Sequence, residues 1–313
     1  ITEAVLTIVS GEVADNYSSS LSVTVGLSGS ATDADFIEDY TGSDLIQTFA
    51  PGNTANDTFV VATPFDDGLL EDNEVATLTL TANQSVVTLG TNSSTQYTIN
   101  NDDRITVGFS SANYADAEDT LTTDIQKATL NVTAGEVASN FTGSLSVTID
   151  LAGDAENADF SENYAGNDLV QTFAPGTQSG DSFVVATPVN DIFLEHDETA
   201  TLTLTADQTA LFVLGQSTAD YEITNDDSIA VGFAATTYSD LESTSQATIQ
   251  KLQVEITSGE VASDYTGPLS ATVTLLGTSA AVNADFVEDY SGSTFIQSFS
   301  AGDSAGDAFD VAT

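Results

Sequence analysis

The sequence predicts an all-β chain of antiparallel β-sandwiches in series, and three observations carry that prediction. Apolar residues alternate with polar ones at a period of two along nearly every run. Turn clusters such as Ser28-Gly29-Ser30 separate the runs. The whole pattern recurs along the 313 residues at a spacing of 124.

The repetition fixes the organisation. Ile1 to Val13 aligns with Ile125 to Val137 and with Ile249 to Val261, each ending in Gly-Glu-Val. Ala34-Asp35-Phe36 recurs as Ala158-Asp159-Phe160 and, after an insertion near Ala280, as Ala284-Asp285-Phe286. Gln47-Thr48-Phe49-Ala50-Pro51-Gly52 recurs at Gln171 to Gly176, whereas the third copy keeps Gln297, Phe299 and Gly302 without the Pro. Asn101-Asp102-Asp103 recurs as Asn225-Asp226-Asp227. A unit of this length is a domain rather than one turn of a solenoid. The expected division is therefore 1–103, a repeat lacking its first strand; 104–227, a complete repeat; and 228–313, a repeat truncated before its acidic loop.

Within each copy the strands follow from the alternation. Leu21, Val23, Val25 and Leu27 point one way between Ser, Thr and Gly, and Leu145, Val147, Ile149 and Leu151 repeat them. Leu130 and Val132, Leu202 and Leu204, and Tyr221 and Ile223 supply further strands. β-Branched residues dominate and no helical stripe of useful length occurs. Roughly seven short strands with one buried face describe a sandwich. The aromatic residues are assigned to its core and corners.

One stretch does not fit a core. From Pro64 to Glu74 the carboxylates Asp66, Asp67, Glu71, Asp72 and Glu74 crowd between the apolar runs of Phe59 and Val61 and of Ala76, Leu78 and Leu80. The stretch returns at Pro188 to Glu198. Two carboxylates about 5 Å apart repel by roughly 3 kcal/mol at an effective dielectric of about 20. Converging carboxylates at a strand end therefore need protonation, splaying or a cation, and a hard divalent ion with 6–8 oxygen ligands suits them. The plain alternative is a solvated acidic loop. Recurrence of the loop favours metal.

Composition narrows the partners. The chain has 48 acidic and 3 basic residues (Arg104, Lys127, Lys251), a net charge of −45, and no Cys, Met or Trp. Such a charge excludes nucleic acid and anionic membrane surfaces as direct partners. Hydrophobic content of 41% is too high for a disordered acidic tail. The sequence holds no 18-residue apolar run, so no membrane insertion is expected. Absence of cysteine is neutral about redox compartment. The Thr-, Ser-, Asn- and Val-rich composition points to a secreted, extracellular cell-surface protein. The start at Ile implies removal of the true N-terminus.

In order, Ala-Asp-Phe, Phe-x-Pro-Gly, Asp-Asp-x-x-x-Glu-x-x-Glu, Leu-Gly and Ile-x-Asn-Asp-Asp resemble the Calx-beta domain. The resemblance covers the whole chain as about two and a half copies. It implies an immunoglobulin-like, seven-stranded sandwich, found in sodium–calcium exchangers, integrin β4 and bacterial adhesins, with Ca2+ bound at one pole. The ligands it implies in the second copy are Glu118, Asp159, Asp191, Glu195, Asp226 and Asp227, with Asn190 supplying an oxygen in place of an Asp. In the first copy they are Asp35, Asp66, Asp67, Glu71, Asp102 and Asp103, and in the third Glu242 and Asp285. Asn101 and Asn225 stand where the family has Asp, which implies fewer or weaker ions.

Asp102-Asp103 runs directly into Arg104-Ile105-Thr106-Val107, and Asp226-Asp227 into Ser228-Ile229. An ion shared with Asp191 and Glu195 would then stiffen the junction, which otherwise acts as a hinge. His196, the one histidine, is expected to replace Asp72 on a solvated loop. Glycoside hydrolysis needs two acids across a cleft, and none is evident. The sequons at Asn16, Asn56, Asn83, Asn92, Asn131 and Asn140 carry no weight in so Asn- and Thr-rich a chain. Thr313 corresponds to Thr63, which implies a window cut from a longer array. Simple head-to-tail completion is opposed, because the tail lacks the equivalent of 64–103 while the head begins at the equivalent of 1.

The expectation is a non-enzymatic, extracellular, calcium-binding rod, filament or adhesin stalk, with neighbouring repeats and other copies in a filament as partners. A calcium-sensing regulatory module of exchanger type, and a carbohydrate-binding or hydrolytic appendage, are the alternatives.

Overall fold

The computed structural model describes residues 2–118, 125–239, 249–276 and 281–313. The chain is all-β, and among the described residues the only helical elements are short 3-10 turns such as Asn157–Asp159. No helix among them is long and apolar enough to cross a membrane.

The immunoglobulin-like sandwich is clearest between residues 105 and 224. One sheet runs in the order Ser182–Ala186, Ala128–Ala134, Ile105–Phe109, Phe212–Leu214. The facing sheet runs Asp168–Phe173, Leu145–Gly153, Glu198–Ala206, Thr218–Thr224, Asn113–Ala117. Alternation buries one face of each: Val107, Leu130 and Val132 from the first sheet meet Ile149, Leu202 and Tyr221 from the second in one apolar cluster. Two edge pairs are parallel, unlike the antiparallel expectation. The cause is a strand that changes sheets. Ile105–Phe109 ends at Ser110, and the chain resumes as Asn113–Ala117 in the facing sheet, so each half lies parallel to a late strand.

The other two sequence copies form smaller sets. In the first, Asp44–Phe49, Leu21–Gly29, Glu74–Ala82 and Ser94–Ile99 make a sheet over the pair Ala4–Thr7 and Thr58–Ala62. In the third, Ala230–Phe233, Leu252–Ser258 and Ala308–Ala312 oppose Leu269–Thr274 and Thr294–Phe299. Each has its own apolar cluster. Tyr40, Tyr164 and Tyr290 are fully buried, and their hydroxyls donate to the carbonyls of Val61, Val185 and Val311. They belong to the buried interior, in keeping with the assignment of the aromatic residues to core and corners.

The acidic loops are not simply solvated. Leu69–Leu70 pairs in parallel with Glu136–Val137, and Phe193–Leu194 with Glu260–Val261. Asp72 Oδ2 accepts the Thr142 N–H at 2.9 Å and its hydroxyl at 2.6 Å. His196 stacks on Tyr265, with ring centroids 4.6 Å apart, and its Nε2 lies 3.1 Å from the Thr266 hydroxyl. The expectation of a solvent-only role for His196 and Asp72 is therefore corrected. Both side chains face the next copy, 70 residues on.

Candidate metal centre

Each acidic pole is assembled by backbone turns that aim carboxylates at one point. In the second copy, Glu118 follows Asn113–Ala117 and is held by its own N–H, which donates to the Thr224 carbonyl at 3.2 Å. Asp159 closes its 3-10 turn and takes the Glu156 N–H on Oδ2 at 2.5 Å. Asp191 Oδ1 accepts the Phe193 N–H at 2.8 Å, and Asp67 does the same for Leu69 at 2.9 Å. These local turns are what a short polar side chain makes before a strand.

Three groups result, each with ligand atoms within 4.8 Å of one another: Asp35, Glu71 and Glu74; Asp159, Glu195 and Glu198; and Glu118, Asp226 and Asp227. Asp191 acts on Glu118, Glu195 and Asp227 alike, and so stands between the second copy's two groups. In the first copy Asp67 acts on Glu71, Glu74 and Asp103, while Asp66 and Asp102 act on Asp103. Asp226 and Asp227 gather with Glu118 rather than with Glu195. Asp285 takes the Val282 N–H at 2.8 Å and joins no group among the described residues. Glu242 lies outside the described residues. Asn190 donates its side-chain N–H to the Glu118 carbonyl.

The electrostatics are those of a site short of positive charge. Burial, followed by the neighbouring carboxylates, pushes Glu74 up to about 7 and Glu118 and Glu198 up to about 8. Glu71, Glu195, Asp103 and Asp227 are also raised, burial first. Protonated, Glu118 donates to Glu195, Glu198 to Asp159 and Glu74 to Asp35. Ionised, one buried oxygen each of Glu74, Glu118, Glu198 and Asp227 faces no donor. Glu118 is only 4% exposed and Glu74 7%. Among the described residues the one ion pair is Lys251 with Asp310, so no protein cation serves these poles. An all-oxygen donor set with orphaned buried oxygens fits a hard divalent ion.

Sequence reasoning missed Glu74 and Glu198 as site residues. Each opens a long strand, Glu74–Ala82 or Glu198–Ala206, and so reads as a strand end. The available signal was the Glu-x-x-Glu spacing, which brings both side chains of one loop exit to the same pole. Asn101 and Asn225 have a positioning role. Asn101 Oδ1 accepts the Glu71 N–H at 3.2 Å, and Asn225 Nδ2 donates to the Phe193 carbonyl at 2.9 Å.

No protein-family model matches the chain, and no curated protein matches it. Solved structures similar to it include the apo form of the Calx CBD1 domain, at 18% identity over 40% of this chain and 100% of that one, with a TM-score of 0.29. CBD12 from CALX1.2 matches at 18% identity over 66% of this chain and 75% of that one, TM-score 0.29. The calcium binding domain CBD12 of CALX1.1 matches at 11% identity over 64% and 87%, TM-score 0.24.

Proposed function

We propose that this chain is a calcium-binding structural segment, made of tandem Calx-beta-like domains at 1–103, 104–227 and 228–313. Its place is an extracellular rod, filament or adhesin stalk, and its work is mechanical rather than catalytic. The observation that carries the reading is the orphaned buried oxygen in each of the three carboxylate groups. Leaving such an oxygen ionised and unpaired costs about 1–3 kcal/mol or more, and a cation removes that cost. Asp35, Glu71 and Glu74 would hold an ion in the first copy. Asp159, Glu195, Glu198 and Glu118, Asp226, Asp227 would hold a neighbouring pair in the second, with Asp191 between them. Because Asp226 and Asp227 lead straight into Ser228, an ion there couples a sandwich edge to the following copy.

Calorimetric titration of the full chain with calcium tests this. Saturable binding, and a melting temperature that rises with calcium over chelator at fixed ionic strength, are expected. An ion bound only by the folded state adds about 2.7 kcal/mol at a hundredfold excess over Kd. No binding and an unmoved melting temperature would remove the reading.

A further inference from the structure

Three glutamines sit where the alternation calls for apolar residues. Gln47, Gln171 and Gln297 hold one position on the strands Asp44–Phe49, Asp168–Phe173 and Thr294–Phe299. Their neighbours two residues away, Leu45, Leu169 and Phe295, pack into the apolar clusters. Each glutamine is half-buried and turns its amide onto the backbone of the next residue. Gln47 Nε2 donates to the Thr48 carbonyl at 2.8 Å, and Gln171 Nε2 to the Thr172 carbonyl at 2.7 Å. Gln297 Nε2 donates to the Ser298 carbonyl, also at 2.7 Å.

The carbonyls so capped lie on open sheet edges. Among the described residues, each of these strands is paired on one side only, and in the second copy it is the outermost of five. Ser146 stands opposite Thr172, yet its N–H donates to Gln208 Oε1 at 3.0 Å and its carbonyl accepts the Asp207 N–H at 3.3 Å. Both groups therefore point away from Thr172. Opposite residues of an antiparallel pair exchange both bonds or neither, so Thr172 directs its N–H and carbonyl outward. Ser22 fixes Thr48 in the same way, through Gln84 at 2.8 Å and Asn83 at 3.3 Å. In the third copy the Leu275 N–H donates to the Ser293 carbonyl at 2.9 Å, and counting in twos leaves Ser298 unbonded to Ser270. The same period turns the backbones of Ile46, Val170 and Ile296 outward, and their side chains are 63%, 56% and 63% exposed.

An unpaired edge with an exposed β-branched residue is a template for another strand. These edges also match one another. Antiparallel pairing centred on Val170 sets Val170 against Val170 and Thr172 against Asp168. Centred on Ile46 or Ile296, it sets Thr48 against Asp44 or Ser298 against Thr294. No like charges meet in these registers, so the acidic surface leaves them open locally. Each register does need the carbonyl of Thr48, Thr172 or Ser298 as an acceptor, and a glutamine amide occupies it. Because the pairing is two-fold symmetric, a glutamine stands at both ends of it.

We propose that Gln47, Gln171 and Gln297 are guards that keep these edges from pairing with a second copy of this chain. This accounts for a polar residue in a core-facing register, which local patterning alone disfavours. Guarding of this kind needs no ion and is separate from the calcium part of the proposed function.

The test is sedimentation and amide exchange of the full chain over a wide concentration range, in chelator and at about 0.15 M salt to screen self-repulsion. In wild type the Val170 amide should exchange rapidly at every concentration. The triple variant Gln47→Thr, Gln171→Thr, Gln297→Thr keeps strand propensity but is too short to cap the carbonyls. It should assemble as concentration rises and slow exchange at Val170 about fivefold or more. Val132 and Ile149 should keep their wild-type protection, which checks folding. Adding Ile46→Lys, Val170→Lys and Ile296→Lys should return the variant to monomer, because lysines then oppose each other across the paired edges. Non-specific association would instead increase, since the lysines reduce the net negative charge. A triple variant that stays monomeric, that assembles without protecting Val170, or that still assembles with the lysines would overturn the proposal. So would a wild type whose Val170 amide slows with concentration. Calcium binding is read separately and none of these outcomes bears on it.

Discussion

The backbone N–H of Ala138 donates to the carbonyl of Leu70 at 3.0 Å, and the Leu70 side chain is fully buried in the cluster that otherwise belongs to residues 105–223. A residue of the first copy's acidic loop thus completes the core of the second. Leu70→Ala should destabilise the second copy, by about 2–5 kcal/mol as for other buried leucines. Denaturant unfolding followed by exchange at Val132 and Ile149 would show it. Protection lost only within 1–103 would place Leu70's contribution elsewhere.

The raised glutamates make a pH prediction with a definite sign. Glu74, Glu118 and Glu198 have folded-state values of about 7, 8 and 8 against an ordinary 4.5. Between those limits the folded chain binds more protons than the unfolded chain, so stability is present below about 4.5 and lost as pH rises toward 8. In chelator the melting temperature should therefore fall from pH 5 to pH 8. Saturating calcium should flatten or reverse that trend, since it replaces the protons. A metal-free melting temperature that climbs over this range would contradict the site's electrostatics.

Neutralising an orphaned carboxylate separates stability from binding. Glu198→Gln keeps a donor toward Asp159 while removing charge, so the metal-free protein should melt higher. Calcium affinity in the second copy should fall at least tenfold, about 1.4 kcal/mol. Titration calorimetry and thermal melts of the one variant read both effects. Lower stability together with unchanged affinity would show that Glu198 is a structural acid only.

His196 offers a test of the second junction that involves no ligand atom. Removing its stack on Tyr265 and its contact with Thr266 should speed exchange of the Thr266 amide roughly fivefold, about 1 kcal/mol. His196→Ala read by hydrogen exchange decides it. Unchanged protection of Thr266 would return His196 to the solvent.

Calcium should also change shape. The strand pairs at Leu69–Leu70 and Phe193–Leu194 bridge the copies without any ion, so the junction is no free hinge in its absence. Ions beside Asp103 and Asp227 should narrow the remaining bending. Small-angle scattering of the full chain is expected to show a sharper distance distribution with calcium, and less so with magnesium, which sheds water reluctantly. An identical profile at confirmed saturation would leave binding without stiffening.

Much of this was legible in the residues. Alternation in Leu145–Gly153 and Thr218–Thr224 names the buried face residue by residue, and it is the face observed. The recurring Asp35 and Asp159, and the acidic stretches at 66–74 and 191–198, located the poles. Period-two reasoning could not see Leu70 or Asp72, because their partners lie in another copy and no local pattern encodes them. Glu74 and Glu198 were hidden for a different reason. At a strand's first position a carboxylate reads as solvent-facing, and only the converging turns bury it. Neither was the crossing at Ser110 visible, since the sequence on both sides of it alternates as a strand should.

That crossing bears on how such a sandwich would respond to tension. The strand that enters the sandwich, Ile105–Phe109, and its continuation, Asn113–Ala117, lie parallel to the late strands Phe212–Leu214 and Thr218–Thr224. When a chain is pulled from its two ends, parallel terminal strands are drawn past each other lengthwise. Their hydrogen bonds are strained together rather than peeled one at a time, and two sheets share the tension. A sandwich wired this way yields abruptly and late under traction, and that resistance is set by topology before any ion is bound.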